Sequence, residues 1–296
     1  MPLEITVCST DADYEAWRSV RLAVLPYERC DPAAELRRQD ERATRLMLLA
    51  HEDGVVVGSG LADRSDSADI GSVAPRVLPG FRRRRIGTAL LEQLARHLEA
   101  HDLVRVRATV DDDDSLAFAH CLGFEDTDHE VEQTRAVVDL PLVPEAPEGV
   151  EVVLASERPG LWEGSYERFG REATSDFALS TALDVTPERW ATSWLGDPMF
   201  LAVHDGEVVG CAGLEVDTDV PDRAENALTA VRRDWRGRGL AVHLKLRTLH
   251  WADEHGIREV YTWTQDGNAA MRALNTRLGY ATTRRSTMVA RHLPLG

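Results

Sequence analysis

Three segments of this 296-residue chain occur twice, in the same order and at nearly the same spacing. His51-Glu52-Asp53-Gly54-Val55-Val56-Val57-Gly58 returns as His204-Asp205-Gly206-Glu207-Val208-Val209-Gly210. Phe81-Arg82-Arg83-Arg84-Arg85-Ile86-Gly87 returns as Trp235-Arg236-Gly237-Arg238-Gly239-Leu240-Ala241, and Leu122-Gly123-Phe124 as Leu278-Gly279-Tyr280. The offsets are 152 or 153, then 154, then 156. Order and spacing kept across three motifs identify a tandem duplication, so the chain folds as two similar halves.

Periodicity places elements in each half. In the first, a strand over 4–8 precedes an amphipathic helix over 13–25 with Tyr14, Trp17, Val20 and Val24 on one side, then a charged helix over 33–44. Strands follow at 46–51, 55–62 and 70–78, the first two joined by an Asp-Gly hairpin. Ile86, Leu90, Leu91, Leu94 and Leu98 mark a long helix, 104–110 a strand, and Ser115 caps a short helix through Cys121. Strands return within 131–140. The second half repeats this: strand 150–155, helices 162–172 and 187–195 (the latter from a Thr186-Pro187 cap), and strands 199–203, 208–216 and 227–231. A helix over 239–255, strand 259–264, helix 269–278 and terminal strand 287–293 complete it. Each half reads β-α-α-β-β-β-α-β-α-β-β, a mixed α/β class. The expected domains are 1–140 and 150–296, with the proline-rich 141–149 as a stiff polar linker.

Composition removes several functions. The formal net charge of −16 opposes nucleic acid and anionic membranes as partners. No run approaches about 18 apolar residues, and the N-terminus lacks a signal-peptide pattern, so a cytoplasmic location is expected. Cys8, Cys30, Cys121 and Cys211 are scattered without clustered histidines, so neither disulfides nor a metal site is expected.

Chemistry concentrates at Arg232–Ala241. An apolar strand (Ala227-Leu228-Thr229-Ala230-Val231) runs into a basic, glycine-bearing turn that opens a helix. Amide groups freed by small residues at a helix N-terminus, with arginines nearby, form an anion site suited to a diphosphate. The alternative is an arginine-rich helix start facing solvent. A P-loop needs Gly-Lys-Ser/Thr, and the chain's single lysine, Lys245, comes too late. A dinucleotide turn needs Gly-x-Gly-x-x-Gly. Arg236-x-x-Gly239-x-Ala241 fits neither.

The motif resembles the Gln/Arg-x-x-Gly-x-Gly/Ala pyrophosphate signature of the GCN5-related N-acetyltransferases. The element order and Asn268-x-x-Met271-x-x-x-Asn275-x-x-Leu278-Gly279-Tyr280 extend the resemblance over nearly the whole chain, as a tandem two-domain member with the two-copy plan of mycothiol synthase. It implies acetyl-CoA as cofactor and transfer of an acetyl group to the primary amine of a small molecule by direct attack; whether the protein is a monomer or homodimer stays open. It implies cofactor contacts from Val231, the amides of Arg236, Gly237, Arg238, Gly239, Leu240 and Ala241, and from Asn268 and Asn275, although Asn268 reads equally well as a helix cap. Glu225 is the candidate general base. Many members carry a tyrosine where this chain has Asn275 or Ala119, so Asn275 is the residue placed to meet the sulfur, while Tyr261, Tyr280 or water are substitutes for the missing acid. This departure keeps a non-catalytic acyl-CoA-binding module open as the alternative. The first copy carries Arg85 where the signature has glycine; Leu78, Arg82, Arg83, Arg84 and Gly87 are its possible cofactor contacts, and the Asp111–Asp114 run, which would repel an anionic cofactor if close by, reads as a solvated loop. It is expected to be degenerate and the second copy catalytic. Trp190 and Trp194, four apart, are expected either in the core or at an acceptor groove.

Overall fold

The computed structural model describes residues 3–40, 44–65, 70–176, 185–193, 196 and 198–295. They form two compact units, Met1–Asp128 with Ser286–Gly296, and His129–Arg285. The division therefore falls at neither end of the proline-rich segment.

The first unit contains β1 (Glu4–Val7), α1 (Asp11–Val24), α2 (Ala33–Gln39), β2 (Leu46–Glu52), β3 (Val55–Arg64), β4 (Ile70–Val73), β5 (Arg76–Val77), α3 (Ile86–Glu99), β6 (Arg105–Val110), α4 (Asp113–Cys121) and the start of β7 (Glu125–Ala136). Thr10 starts α1 through a capping box with Asp13, which satisfies free amides at the helix end. The acidic run has a local reason: Asp112, rather than Ser115, caps α4 by accepting from the Ser115 amide at 2.8 Å. The sheet order is β1-β2-β3-β4-β6. Leu90, Leu94 and Leu98 of α3 pack over Leu48, Ala62 and Val106 as the core.

The second unit contains β8 (Glu151–Leu154), α5 (Pro159–Glu163), α6 (Arg171–Ser175), α7 (Pro187–Thr192), β9 (Met199–His204), β10 (Glu207–Val216), β11 (Arg223–Val231), α8 (Leu240–Glu254), β12 (Glu259–Gln265), α9 (Ala269–Arg277) and the start of β13 (Ala281–His292). Its sheet runs β8-β9-β10-β11-β12 in space. The tight turn at Asp205-Gly206 joins β9 and β10, with both residues at positive φ as a two-residue hairpin requires.

Two features depart from the sequence reading. Each copy ends in one 12-residue strand rather than two short ones. The final strand of each sheet also belongs to the other copy by sequence: Thr287–His292 of β13 pairs with β6 in the first unit, and Glu130–Ala136 of β7 pairs with β12 in the second. A hydrophobic pattern gives a strand's faces but not which copy's edge it joins, and both edges offer the same ladder. The segment 141–149 is tied to the second unit at a few points, with most of its residues exposed. The His243 ring bonds the Pro144 carbonyl at 2.7 Å and His250 the Pro141 carbonyl at 2.9 Å, while Leu140 and Val143 pack on the core under α8.

Candidate functional site

Parallel strands β11 and β12 pair only at Arg223–Glu259, Ala224–Val260 and Glu225–Tyr261. Beyond that rung they splay. The opening is a cleft of about 640 Å³ walled by Asn226–Val231 on one side and Thr262–Gln265 on the other, closed at its mouth by the turn before α8 and by α9.

Strand β11 is shaped for this opening. Its register with β10 shifts between Thr229–Ala212 and Asn226–Leu214, so Ala227 and Leu228 stand opposite Gly213 alone. This is a β-bulge, and it turns backbone groups off the regular ladder. The Arg232 amide bonds the Val209 carbonyl. Alternation along an antiparallel pair then aims the amides of Val231 and Thr229 the other way, into the gap that β12 has left.

At the mouth, Gly237 and Gly239 lie at φ of +75° and +81°, flanking Arg238. Alternating hands of backbone turn successive amides inward as an anion-binding nest, at the positive end of the 15-residue helix α8. A Cβ added at either glycine would touch nothing within 4 Å, so the space above them is open. The arginine side chains brace this loop. Arg236 Nε bonds the Val231 carbonyl at 3.0 Å, and Arg238 bonds the Asp234 carbonyl at 3.0 Å while lying over Trp235. Arg233 and Arg236 both pair with Asp176. Burial pushes the Asp176 carboxyl up, but the hydrogen bonds from these guanidiniums outweigh it and hold it below its ordinary value.

The remaining sequence candidates divide. Asn268 lines the cleft and also caps α9, accepting from the Met271 amide at 3.1 Å. Asn275 is 0% exposed and does not line the cleft; its amide donates to Gln133 at 3.1 Å, a packing bond to the strand from the other copy. Its proposed place at the sulfur is therefore corrected, and the bond was not foreseeable without the strand exchange. Glu225 sits on the closing rung of the splay, its carboxylate accepting from the Tyr261 hydroxyl at 3.2 Å. Trp190 is fully buried, stacked on Trp162 with centroids 4.3 Å apart, so it belongs to the core rather than to an acceptor groove; Trp194 lies outside the described residues.

One group at the site was passed over in the sequence. Lys245 of α8, the chain's single lysine, lines the floor of the cleft while 1% exposed, and burial alone lowers it to about 7. Its ammonium donates to Asn226 Oδ1 at 3.0 Å.

The model of the Acetyltransferase (GNAT) family matches residues 14–124 and 166–280, one match in each copy. The chain belongs to this family. It is an acetyl-CoA-dependent N-acetyltransferase. Over 237 residues it is 30% identical to a mycothiol acetyltransferase of Thermomonospora curvata, covering 79% of this chain and 78% of that one. A mycothiol acetyltransferase of Saccharomonospora viridis is 29% identical over 218 residues, covering 70% and 69%. Two solved structures share the fold at a TM-score of 0.76 and 22% identity: a GCN5-related N-acetyltransferase from Sphaerobacter thermophilus, covering 98% of this chain and 95% of that one, and a tandem GNAT protein from the clavulanic acid biosynthesis pathway, covering 98% of each.

The second unit's residues fit the GNAT donor: an extended cleft, a nest for the diphosphate and gap-facing amides along β11. The first unit's counterpart does not match it. Its cleft holds about 160 Å³ and is lined by Phe118, Asp111 and Asp112. Its register is uninterrupted from Ala62–Val73 to Gly58–Val77, so no bulge forms. The Leu78 amide bonds the Val57 carbonyl, which makes Val77 and Pro75 the gap-facing residues rather than Leu78, and proline has no amide hydrogen. The turn keeps its backbone, with Arg83 and Arg85 at φ of 63° and 65°, so the positive φ survives loss of glycine at a cost of about 1–2 kcal/mol per residue. Arg83 is paired with Asp114 and Arg84 with Glu52. The caps differ too: Asn268 of α9 is neutral, whereas its counterpart Asp112 places a carboxylate at the first cleft.

Proposed function

We propose that the second unit transfers the acetyl group to the primary amine of a small molecule within a ternary complex, and that the first is a degenerate copy kept as structure. The observation that carries this reading is the β11 bulge above the Gly237–Gly239 nest, features whose counterparts in the first unit are a straight register with Pro75 and two arginines. Acetyl-CoA supplies the activated thioester. The nest, with the amides of Arg236 to Ala241, would hold the diphosphate, and the Thr229 and Val231 amides would hold the arm along β11. Glu225 takes the proton of the attacking amine. Its side chain alternates to the face of β11 opposite Asn226, so the amine approaches from the side away from α8.

The relatives are mycothiol acetyltransferases, which makes the amine of deacetylated mycothiol the first acceptor to test. A formal net charge of −16 also suits a cationic acceptor. Thiol release from acetyl-CoA, followed with deacetylated mycothiol and a panel of small amines, should rise above background for at least one, with the N-acetyl product identified by mass. Calorimetric binding of acetyl-CoA with no thiol release on any amine would defeat the reading.

A further inference from the structure

We propose that Lys245 delivers the proton that the departing coenzyme A thiolate needs, held at the vertex of the cleft by Asn226 and Tyr280. The inference rests on the second unit being the transferring one.

The placement comes from the strand geometry. Glu225–Tyr261 is the last rung between β11 and β12, and Asn226 is the next residue. Asn226 therefore marks the vertex, one residue before the bulge. An arm entering at the nest and running along β11 ends there. The Lys245 ammonium donates to Asn226 Oδ1 at 3.0 Å and lies 5.1 Å from the Tyr280 ring centroid. Asn226 is fixed in turn, its amide donating to the Tyr261 carbonyl at 3.1 Å and the Tyr280 hydroxyl at 3.2 Å. One N–H of the ammonium is thus used by Asn226, and two are left on a side chain that lines the cleft.

The duplicated architecture supplies an internal control. The β10–β11 and β3–β4 registers match Asn226 with Val73, the repeat offset matches Lys245 with Leu91, and the Leu-Gly-Phe/Tyr motif matches Tyr280 with Phe124. Val73, Leu91 and Phe124 are all buried core of the first unit. The fold therefore fills this place with apolar side chains when nothing else is asked of it. A buried ammonium without a carboxylate partner is costly, and packing does not explain its presence. Among the described residues no carboxylate pairs with Lys245. The groups against it are the Tyr280 ring, whose hydroxyl is raised to about 12 chiefly by burial and feels the Arg135 charge, and the uncharged Asn226 amide. On α8 its neighbours one turn away are Ala241, Val242, Thr248 and Leu249.

The step balances as follows. The amine nitrogen bonds to the thioester carbon, and its surplus proton leaves through Glu225. The C–S bond breaks with its electron pair going to sulfur, and one N–H of the Lys245 ammonium becomes the S–H of coenzyme A. Neutral Lys245 regains a proton from water. An acid near 7 is matched to a thiol leaving group at neutral pH, and a phenol near 12 is not.

The test compares Lys245→Met, and the triple variant Asn226→Val/Lys245→Leu/Tyr280→Phe, with the unaltered protein. With acetyl-CoA and an accepted amine, kcat should fall about 10²–10⁴-fold, acetyl-CoA affinity by calorimetry should change little, and the limb of the kcat–pH profile that falls above about 7 should disappear. A kcat within about fivefold of normal, or loss of the rising limb instead, overturns the assignment. Because the chain has one lysine, a 15N-lysine label gives one side-chain amine signal, and it should titrate near 7 and move on adding coenzyme A. If no amine is acetylated at all, the transferase reading of this unit fails separately, and a lysine signal insensitive to coenzyme A overturns the placement here.

Discussion

The buried lysine makes a stability prediction whose size and pH dependence both follow from its environment. Replacing Asn226, Lys245 and Tyr280 by Val, Leu and Phe gives the second unit the first unit's core, and should stabilise the protein. The ordinary lysine value is 10.5 and burial lowers it to about 7. At about 1.4 kcal/mol per pH unit, that gap sets a ceiling of about 5 kcal/mol on the cost of keeping Lys245 charged. Imperfect repacking reduces the gain, and about 1–4 kcal/mol is expected at pH 7 from comparable replacements of buried ions. The folded value lies below the unfolded one, so between about 7 and 10.5 the unfolded chain binds a proton that the folded chain has released. The contribution of Lys245 to stability therefore rises with pH across that window. The variant's advantage is constant below about pH 7 and shrinks from there to about pH 10, above which loss of Tyr280, raised to about 12 by burial, acts in the variant's favour. Urea denaturation of both proteins at several pH values measures the difference, in which all unaltered groups cancel. A difference that does not vary with pH, or a variant less stable at pH 7, would refute the argument.

Other changes test the remaining parts of the site. Gly239→Asp forces a Cβ into φ +81° and a carboxylate into the nest, and should weaken acetyl-CoA binding more than about tenfold, while Gly87→Asp, at the counterpart of Ala241 in the first unit, should leave it within a few-fold by calorimetry. Thr229→Pro copies Pro75 and deletes one gap-facing donor without breaking the β10 ladder, so acetyl-CoA should bind about tenfold more weakly with the circular dichroism unchanged. Glu225→Gln should lower kcat about 10²–10⁴-fold and leave donor affinity intact. Trp190→Ala should cost about 3–5 kcal/mol in urea denaturation, since its ring is stacked on Trp162 and met edge-on by Phe169 in a closed core.

The anion turn was legible because its chemistry is local. Arg236-x-x-Gly239-x-Ala241 needs only its own backbone and the helix that follows. The hairpins at Asp53-Gly54 and Asp205-Gly206 were legible for the same reason. The bulge is written in the repeat as well: the offset grows from 152 at Gly58–Gly210 to 154 at Arg82–Arg236, and one of the added residues is the extra one in β11. The sequence shows an insertion there, but only pairing shows which strand absorbs it. Lys245 could have been found by aligning the copies, which sets it against Leu91. Asn275 could not, because its partner Gln133 comes from the other copy across the exchange.

That exchange has a consequence for taking the protein apart. A cut in the segment 141–149 yields two pieces, each lacking the strand that closes its own sheet: the second keeps β8 to β12 but loses Glu130–Ala136, the ladder partner of β12. Strand β12 forms one wall of the cleft, and its free edge would be open to solvent or to other chains. The first copy is thus not an appendage that can simply be trimmed away. It donates a strand to the second sheet and takes one for its own, so neither half carries in one continuous stretch everything its sheet needs.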